Sequence, residues 1–339
     1  MLTQSCILVV IMTIFSADVG AAKVYYVSKT GSDTHTGLSL TQPWQTIQHA
    51  ANVAPAGSTV YVQKGTYYET VTINVQGNTR DGYITFQNYQ NDKVVVSGLH
   101  AKQQSPDDSM NIFYISGKSY LKIIGFEVST LTTTYGSGIR VFGPGSYIEL
   151  RNNTIHTIKG GSQDGGAMAI TIYNTNQQQS RSHLIIDSNT IYNCDPAWSE
   201  TLTLNGNIEL FQVTRNLIHD VNNIGIDFIG MESSTKYQRN LMIPDVGGET
   251  GMGKLPARDG VCANNTVYNV HSPYAVAAAI YVDGGQNITI QYNEVWSSDV
   301  GIEIGAENKG VVVTQVLVLN NYVHDNYYWG LGFGGYDVK

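Results

Sequence analysis

The chain has 339 residues, of which 14% are charged and 42% hydrophobic, with 35 glycines and a formal net charge of −8. Low charge with abundant glycine fits stacked short strands and turns and speaks against a helical protein. The acidic balance disfavours a nucleic-acid partner, because phosphate contacts need an excess of Lys and Arg, and it disfavours an anionic substrate unless a divalent cation intervenes.

Residues 1–22 read as a signal peptide, with an apolar stretch Cys6–Phe15 and small residues Gly20-Ala21-Ala22 before Lys23. This stretch is too short to span a bilayer, so secretion is expected, with no membrane association after cleavage. Pro43 to Ala51 places Trp44, Ile47, Ala50 and Ala51 at helical spacing. It is predicted to be a short amphipathic helix closing one end of a stack, since an open end would expose an apolar interior. Strand-like runs follow, separated by Gly, Asn and Asp: Thr59–Val62, Val71–Ile73, Tyr83–Phe86, Val94–Val96, Ile112–Ile115 and Leu121–Ile124.

From Asn153 onward one phrase, Asn–x–hydrophobic–aromatic or His, recurs at Asn153, Asn189, Asn216, Asn265, Asn293 and Asn321. The intervals are 36, 27, 49, 28 and 28 residues. A period near 28 with insertions is the mark of a solenoid, and short strands without intervening helices leave the right-handed parallel β-helix as the fold. Residues 23–339 are expected to form a single such domain. Its last strand is followed by no capping helix, which reads as a fragment or as an end covered by something else. Two clear strands are expected per repeat, one before the Asn and one about ten residues after it. The Asn column is assigned to the scaffold, through left-handed turn geometry and an amide ladder. His156, His219 and His324 share a column with Tyr and Trp and are assigned to stacking. Cys194 and Cys262 are predicted to lie roughly 9–10 Å apart along the stack, too far for a disulfide, as buried free thiols.

The second strand of each repeat carries the chemistry. Its outward column reads Arg140, Thr171, Thr203, Asp227, Tyr281, Glu303, Gly332, and two residues on come Phe142, Tyr173, Asn205, Ile229, Asp283, Gly305, Gly334. Asp227, Asp283 and Glu303 thus converge, with Tyr281 between them and Glu307 trailing. Acidic side chains crowded on one face repel one another. Their presence suits a Ca²⁺ site of Asp227, Asp283, Glu303 and Glu307, a glycosidic acid/base pair, or a solvated acidic surface. The 49-residue interval holds an insertion, Met231 to Pro256, directly after the Asp227 strand. It is expected to wall the acidic face, with loops around Gly160–Gly165, Asp195–Glu200 and His271–Tyr274 opposite. Tyr281, Tyr327, Trp329 and Tyr336 are expected to be exposed for stacking on sugar rings, with Tyr281, Trp329 and Tyr336 as the substrate-binding candidates.

The segment Tyr25-Tyr26-Val27-Ser28, Gly31-Ser32-Asp33, Pro43-Trp44-Gln45-Thr46-Ile47, Gly57–Val62 and Gly65-Thr66-Tyr67 resembles the entry segment of secreted, pectate-lyase-like parallel β-helix proteins. The phrases Gly225–Gly230, Ile280–Gly285 and Gly301–Ile304 look like an uncharacterised branch near the pectate and alginate lyases. The resemblance implies β-elimination on a uronate polymer, with calcium on the carboxylates Asp227, Asp283 and Glu303 and a Lys or Arg as the base. No basic residue matches that motif; Lys254, Arg258 and Lys309 are nearby candidates. With Lys254 or Arg258 as the base, Asp227 and Glu303 complete the catalytic set. The expected function is a monomeric, calcium-assisted polysaccharide lyase. A hydrolase using paired carboxylates and a non-catalytic carbohydrate-binding or adhesion solenoid stand as alternatives.

Overall fold

The structure, a computed structural model, describes residues 23–101, 109–161, 165–230, 255–307 and 311–334. The expected signal segment, Lys254, Lys309, Tyr336 and nearly all of the 231–256 insertion lie outside the described residues. Among the described residues no helix is long and apolar enough to cross a membrane.

Three parallel sheets run the length of the molecule. The first has ten strands, from Val24–Val27 to Leu317–Leu319; the second has nine, from Gly65–Tyr67 to Tyr322–His324; the third has nine, from Val71–Ile73 to Trp329–Phe333. Each full rung contributes one strand to each sheet, as in Ile208–Thr214, Leu217–Asn222 and Ile224–Ile229. This is the right-handed parallel β-helix the repeat implied. The rung has three strands rather than the two expected from the sequence. The missed strand begins immediately after the repeating Asn, so the motif read as a turn is also the start of a sheet.

Alternation sends every second side chain inward. Ile172, Leu204, Phe228, Val282 and Ile304 form one such interior column in consecutive rungs. Each fully buried apolar side chain contributes about 1.5–3 kcal/mol. Phe211 stacks on Phe228 at 5.1 Å inside the coil. The next rung meets the Phe211 ring with Gly260, where a Cβ would lie 2.1 Å from ring carbons; no other residue leaves that space. Cys194 and Cys262 are buried and free, and burial pushes both thiols up to about 12.

The helix spans Ile47–Val53 and buries Ile47, Ala50 and Ala51. It starts three residues later than the apolar spacing suggested. Thr46 is its N-cap, accepting from the His49 N–H, and Trp44 is instead held extended against Val27, its ring stacked on Tyr25 at 4.7 Å.

The asparagine column is a continuous ladder. In each rung from Asn153 to Asn293, the backbone N–H and the side-chain Nδ2 both donate to Oδ1 of the next rung's Asn at 2.9–3.1 Å. The same Nδ2 also donates to a backbone carbonyl one rung earlier, such as Ile186 for Asn216. Phe126 occupies the preceding step, donating only its N–H to Asn153. The left-handed backbone expected of these asparagines belongs instead to the residue before each: Asn152, Ser188, Arg215, Asn264, Tyr292 and Asn320 have φ between 53° and 56°. That residue makes the corner, which frees the Asn side chain to point along the stack. Outside it, the rings of His156, Tyr192, His219, Tyr268, Trp296 and His324 stack without a gap at 4.4–5.7 Å.

Asn216→Ala strips the Asn189 N–H and Nδ2 of their acceptor and leaves the Ile186 carbonyl short of a donor. The expected cost is about 2–4 kcal/mol in chemical denaturation. Asn321→Ala, where water reaches the half-buried site, is expected to cost clearly less; equal losses would show that the ladder's burial is not what gives it strength.

Candidate active site

The outer face of the third sheet carries the acidic residues. Its registers align Arg140 with Thr171, Thr203, Asp227, Tyr281, Glu303 and Gly332 in successive rungs, the column expected from the sequence. Adjacent rungs are about 4.8 Å apart. Glu200 enters the same neighbourhood from the preceding rung, in register with Ile224. The sequence places it only at the end of the Asp195–Glu200 loop. Its signal is that it stands three residues before Thr203, the neighbour of Asp227.

Asp227 is buried, and among the described residues its Oδ1 has no hydrogen-bond partner. Burial raises its pKa well above the usual carboxylate range, and the charges of Glu200, Asp283 and Glu307 push in the same direction. Asp283 is buried too and accepts the Glu307 N–H at 2.7 Å. Glu303 is raised by burial and by Glu307, and Glu307 by burial. The acids therefore form one electrostatically linked group, and a positive ion or bound protons would relieve it. Gly305 pairs with Asp283 and Gly332 with Glu303. Gly332 leaves room beside the Glu303 side chain, whereas the Gly334 backbone closes over Gly305, with the Tyr281 hydroxyl next to it.

Other candidates are placed differently. Tyr281, expected to be exposed, is only 4% exposed. It packs with Ala278, Val300 and Ile224 in a small apolar cluster apart from the main core, and burial together with the surrounding acids raises its phenol strongly. It is a wall between acids, with no open ring face for a sugar. Arg258 begins a strand of the first sheet. Its guanidinium donates to Glu209, to Asn207 Oδ1 and to the Pro256 carbonyl, so it is engaged away from the Asp227 face. Trp329 is exposed and pairs with Val300 in the last described rung. The basic residue standing on the acidic column itself is Arg140, three rungs before Asp227 and buried, its guanidinium 5.6 Å above the Phe142 ring. Among the described residues no three Asp, Glu, His or Cys side chains are gathered around a common point; the acids are spread along the face.

The walls come from unequal turns. Between the second and third sheets the chain spends residues 195–199 in one rung, Asn223 alone in the next, and 272–277 in the one after. These turns bound the face at the start of its strands, and it is open along the helix axis.

A family model described as Pel9A-like, right-handed β-helix region matches residues 25–209. The chain belongs to the Pel9A-like β-helix family. Among curated relatives, the uncharacterized protein YwoF of Bacillus subtilis is 34% identical over 331 residues, covering 94% of this chain and 66% of that protein. Pectate lyase PEL9 of Emericella nidulans is 30% identical over 138 residues, 38% of this chain and 33% of the enzyme. The chain thus spans less than two thirds of either relative. A solved structure of XylC with xylose superposes at a TM-score of 0.53 with 14% identity, covering 91% of this chain and 68% of that one, a likeness of fold. The Pel9A-like chain therefore has a pectate-lyase-like β-helix as its scaffold.

Raised carboxyl pKa values have a definite sign in stability. In the folded state Asp227, Glu303 and Glu307 hold protons at pH values where the unfolded chain has lost them. Stability is then greatest below the unfolded value near 4 and falls as pH rises toward the raised folded values. With a chelator present, Asp227→Asn is expected to raise Tm at pH 7 by about 2–4 °C and to leave it nearly unchanged at pH 4. A Tm that falls equally at both pH values would mean that the carboxylate is satisfied in the fold.

Proposed function

We propose that this Pel9A-like chain is a secreted, calcium-assisted polysaccharide lyase acting on a uronate-containing polymer along the third-sheet face. The observation that carries the reading is the linked acidic group, with the buried, unpartnered Asp227 Oδ1 at its centre. An anionic polymer would be repelled by this face unless a cation lay between. The donor set suits a hard cation, since every candidate ligand is a carboxylate oxygen. Asp227, Asp283, Glu303 and Glu307 are the candidate ligands, with Glu200 alongside; spread along the face as they are, they would hold the cation only after drawing together around it. Bound there, Ca²⁺ would neutralise the uronate carboxylate and acidify the adjoining C–H.

The chain's own residues do the rest. The flat parallel sheet presents a straight floor for an extended polymer. Buried Tyr281 keeps water from between Asp227 and Glu303, which strengthens their electrostatic effect on a bound group. β-Elimination needs a base at the proton next to the carboxyl group, and Lys254 stands as the candidate, since Arg258 is committed to Glu209. A second reading, a hydrolase, is favoured by Asp227, whose carboxyl group burial holds well above the usual carboxylate range: a raised carboxyl pKa is what a general acid needs.

Incubation with polygalacturonate, alginate and related polyuronates, followed by ultraviolet absorbance of the unsaturated product, tests the proposal. Absorbance that appears with Ca²⁺, vanishes with a chelator and falls at least ~100-fold in Asp227→Asn is the expected result. Reducing ends without that absorbance would establish the hydrolase, and retention of the polymer without cleavage a binding module.

A further inference from the structure

The rung that carries Asp227 is the one with the shortest turn, the single residue Asn223, while its neighbours on both sides have turns of several residues. The two longer turns lean over the short one and meet. Trp198, from the preceding rung, and Tyr274, from the following rung, stack with ring centroids 4.7 Å apart and planes 30° from parallel. Their strands lie two rungs apart, about 9.6 Å, so the contact exists only because both turns bend inward.

Asn223 fixes this arrangement. It has a left-handed backbone at φ 59° and is buried. Its Nδ2 donates to both the Trp198 and Ser199 carbonyls at 2.9 Å, and its N–H donates to the His271 carbonyl at the base of the Tyr274 turn. The Tyr274 turn is further braced by Asp299, which accepts the Ser272 N–H and contacts His271 Nδ1 at 3.0 Å. A tryptophan held this firmly would ordinarily be buried, yet Trp198 keeps 39% of its surface exposed. Two residues after it comes Glu200, whose charge acts on Asp227. The pair is a rigid, half-open aromatic surface at the entrance to the acidic face.

We propose that Trp198, backed by Tyr274, is the platform on which one sugar ring of the polysaccharide stacks, positioning the chain over the Asp227 rung. A ring face that is already desolvated on one side and immobilised costs little entropy when a pyranose covers the other, and the C–H face of a pyranose is the chemical complement of an indole. The platform rests on the polysaccharide reading above. It differs from the Tyr281, Trp329 and Tyr336 set, because it is the aromatic group built over the acidic rung itself.

The test compares wild type with Trp198→Ala, Trp198→Phe and Tyr274→Ala in binding to the polyuronate panel and, where cleavage is seen, in KM and kcat, with Tm as the folding control. Trp198→Ala is expected to weaken binding or raise KM about tenfold with kcat within about twofold, the pattern of a lost uniform binding contact. Trp198→Phe should recover most of the loss. Oligosaccharide should quench tryptophan emission in wild type and fail to do so in Trp198→Phe. Unchanged affinity in Trp198→Ala, or persistent quenching in Trp198→Phe, would overturn the proposal, as would a fall in Tm with unchanged affinity in Trp198→Ala, which would make the pair a loop brace only. If wild type binds no member of the panel, the polysaccharide reading itself falls and the platform with it; if wild type binds and Trp198→Ala binds equally well, only the platform falls.

Discussion

From Asn189 to Asn293, each buried asparagine amide of the ladder accepts two hydrogen bonds from the rung before it and donates in turn to the rung after it and to a carbonyl of the rung before. That arrangement permits one register. A slip of one residue in any rung would turn an interior Ile or Phe outward and at the same time leave buried amide groups without partners. Everything on the outer faces depends on this constraint. Asp227 and Glu303 are 76 residues apart in sequence (303 − 227) and two rungs apart in space only because the ladder counts the rungs between them without error.

The ladder also explains why the insertions are tolerated. Intervals of 36 and 49 residues leave the ladder unbroken, the next Asn returning to its place each time. Where turns are free to vary, function can be built. The walls of the acidic face are such turns, and the contrast between a one-residue turn at Asn223 and its longer neighbours makes the space in which Trp198 and Tyr274 meet. The structure thus separates two tasks: one corner of the coil is fixed by hydrogen bonding, and another is free to shape a site.

The acidic face runs against the usual preference for solvated charge. Asp227 and Asp283 are buried beside other carboxyl groups, an arrangement that costs folding energy unless protons or a cation compensate. A scaffold stabilised by a long apolar core and a buried amide ladder can bear such a local cost. The proposed calcium-assisted chemistry uses the same property, since an ion that binds there relieves repulsion already stored in the fold.

Periodicity alone was enough to determine the β-helix, the outward column from Arg140 to Gly332, the burial of Cys194 and Cys262 and the scaffold role of the asparagines, because strict alternation and a constant repeat convert sequence position directly into spatial position. What alternation could not supply was the behaviour of side chains at bends. Ile224, Ala278 and Val300 stand three residues before the outward column yet pack against Tyr281; an even-and-odd reading puts them on the wrong side and leaves Tyr281 exposed. The left-handed corner fell one residue before the Asn for a similar reason, since the amide is needed for the stack. Arg258 was settled by its partner Glu209 on another rung, and Glu200 by its place beside Ile224, from which its charge acts on Asp227. These residues are far apart in the chain, and only the stacked coil brings them near one another.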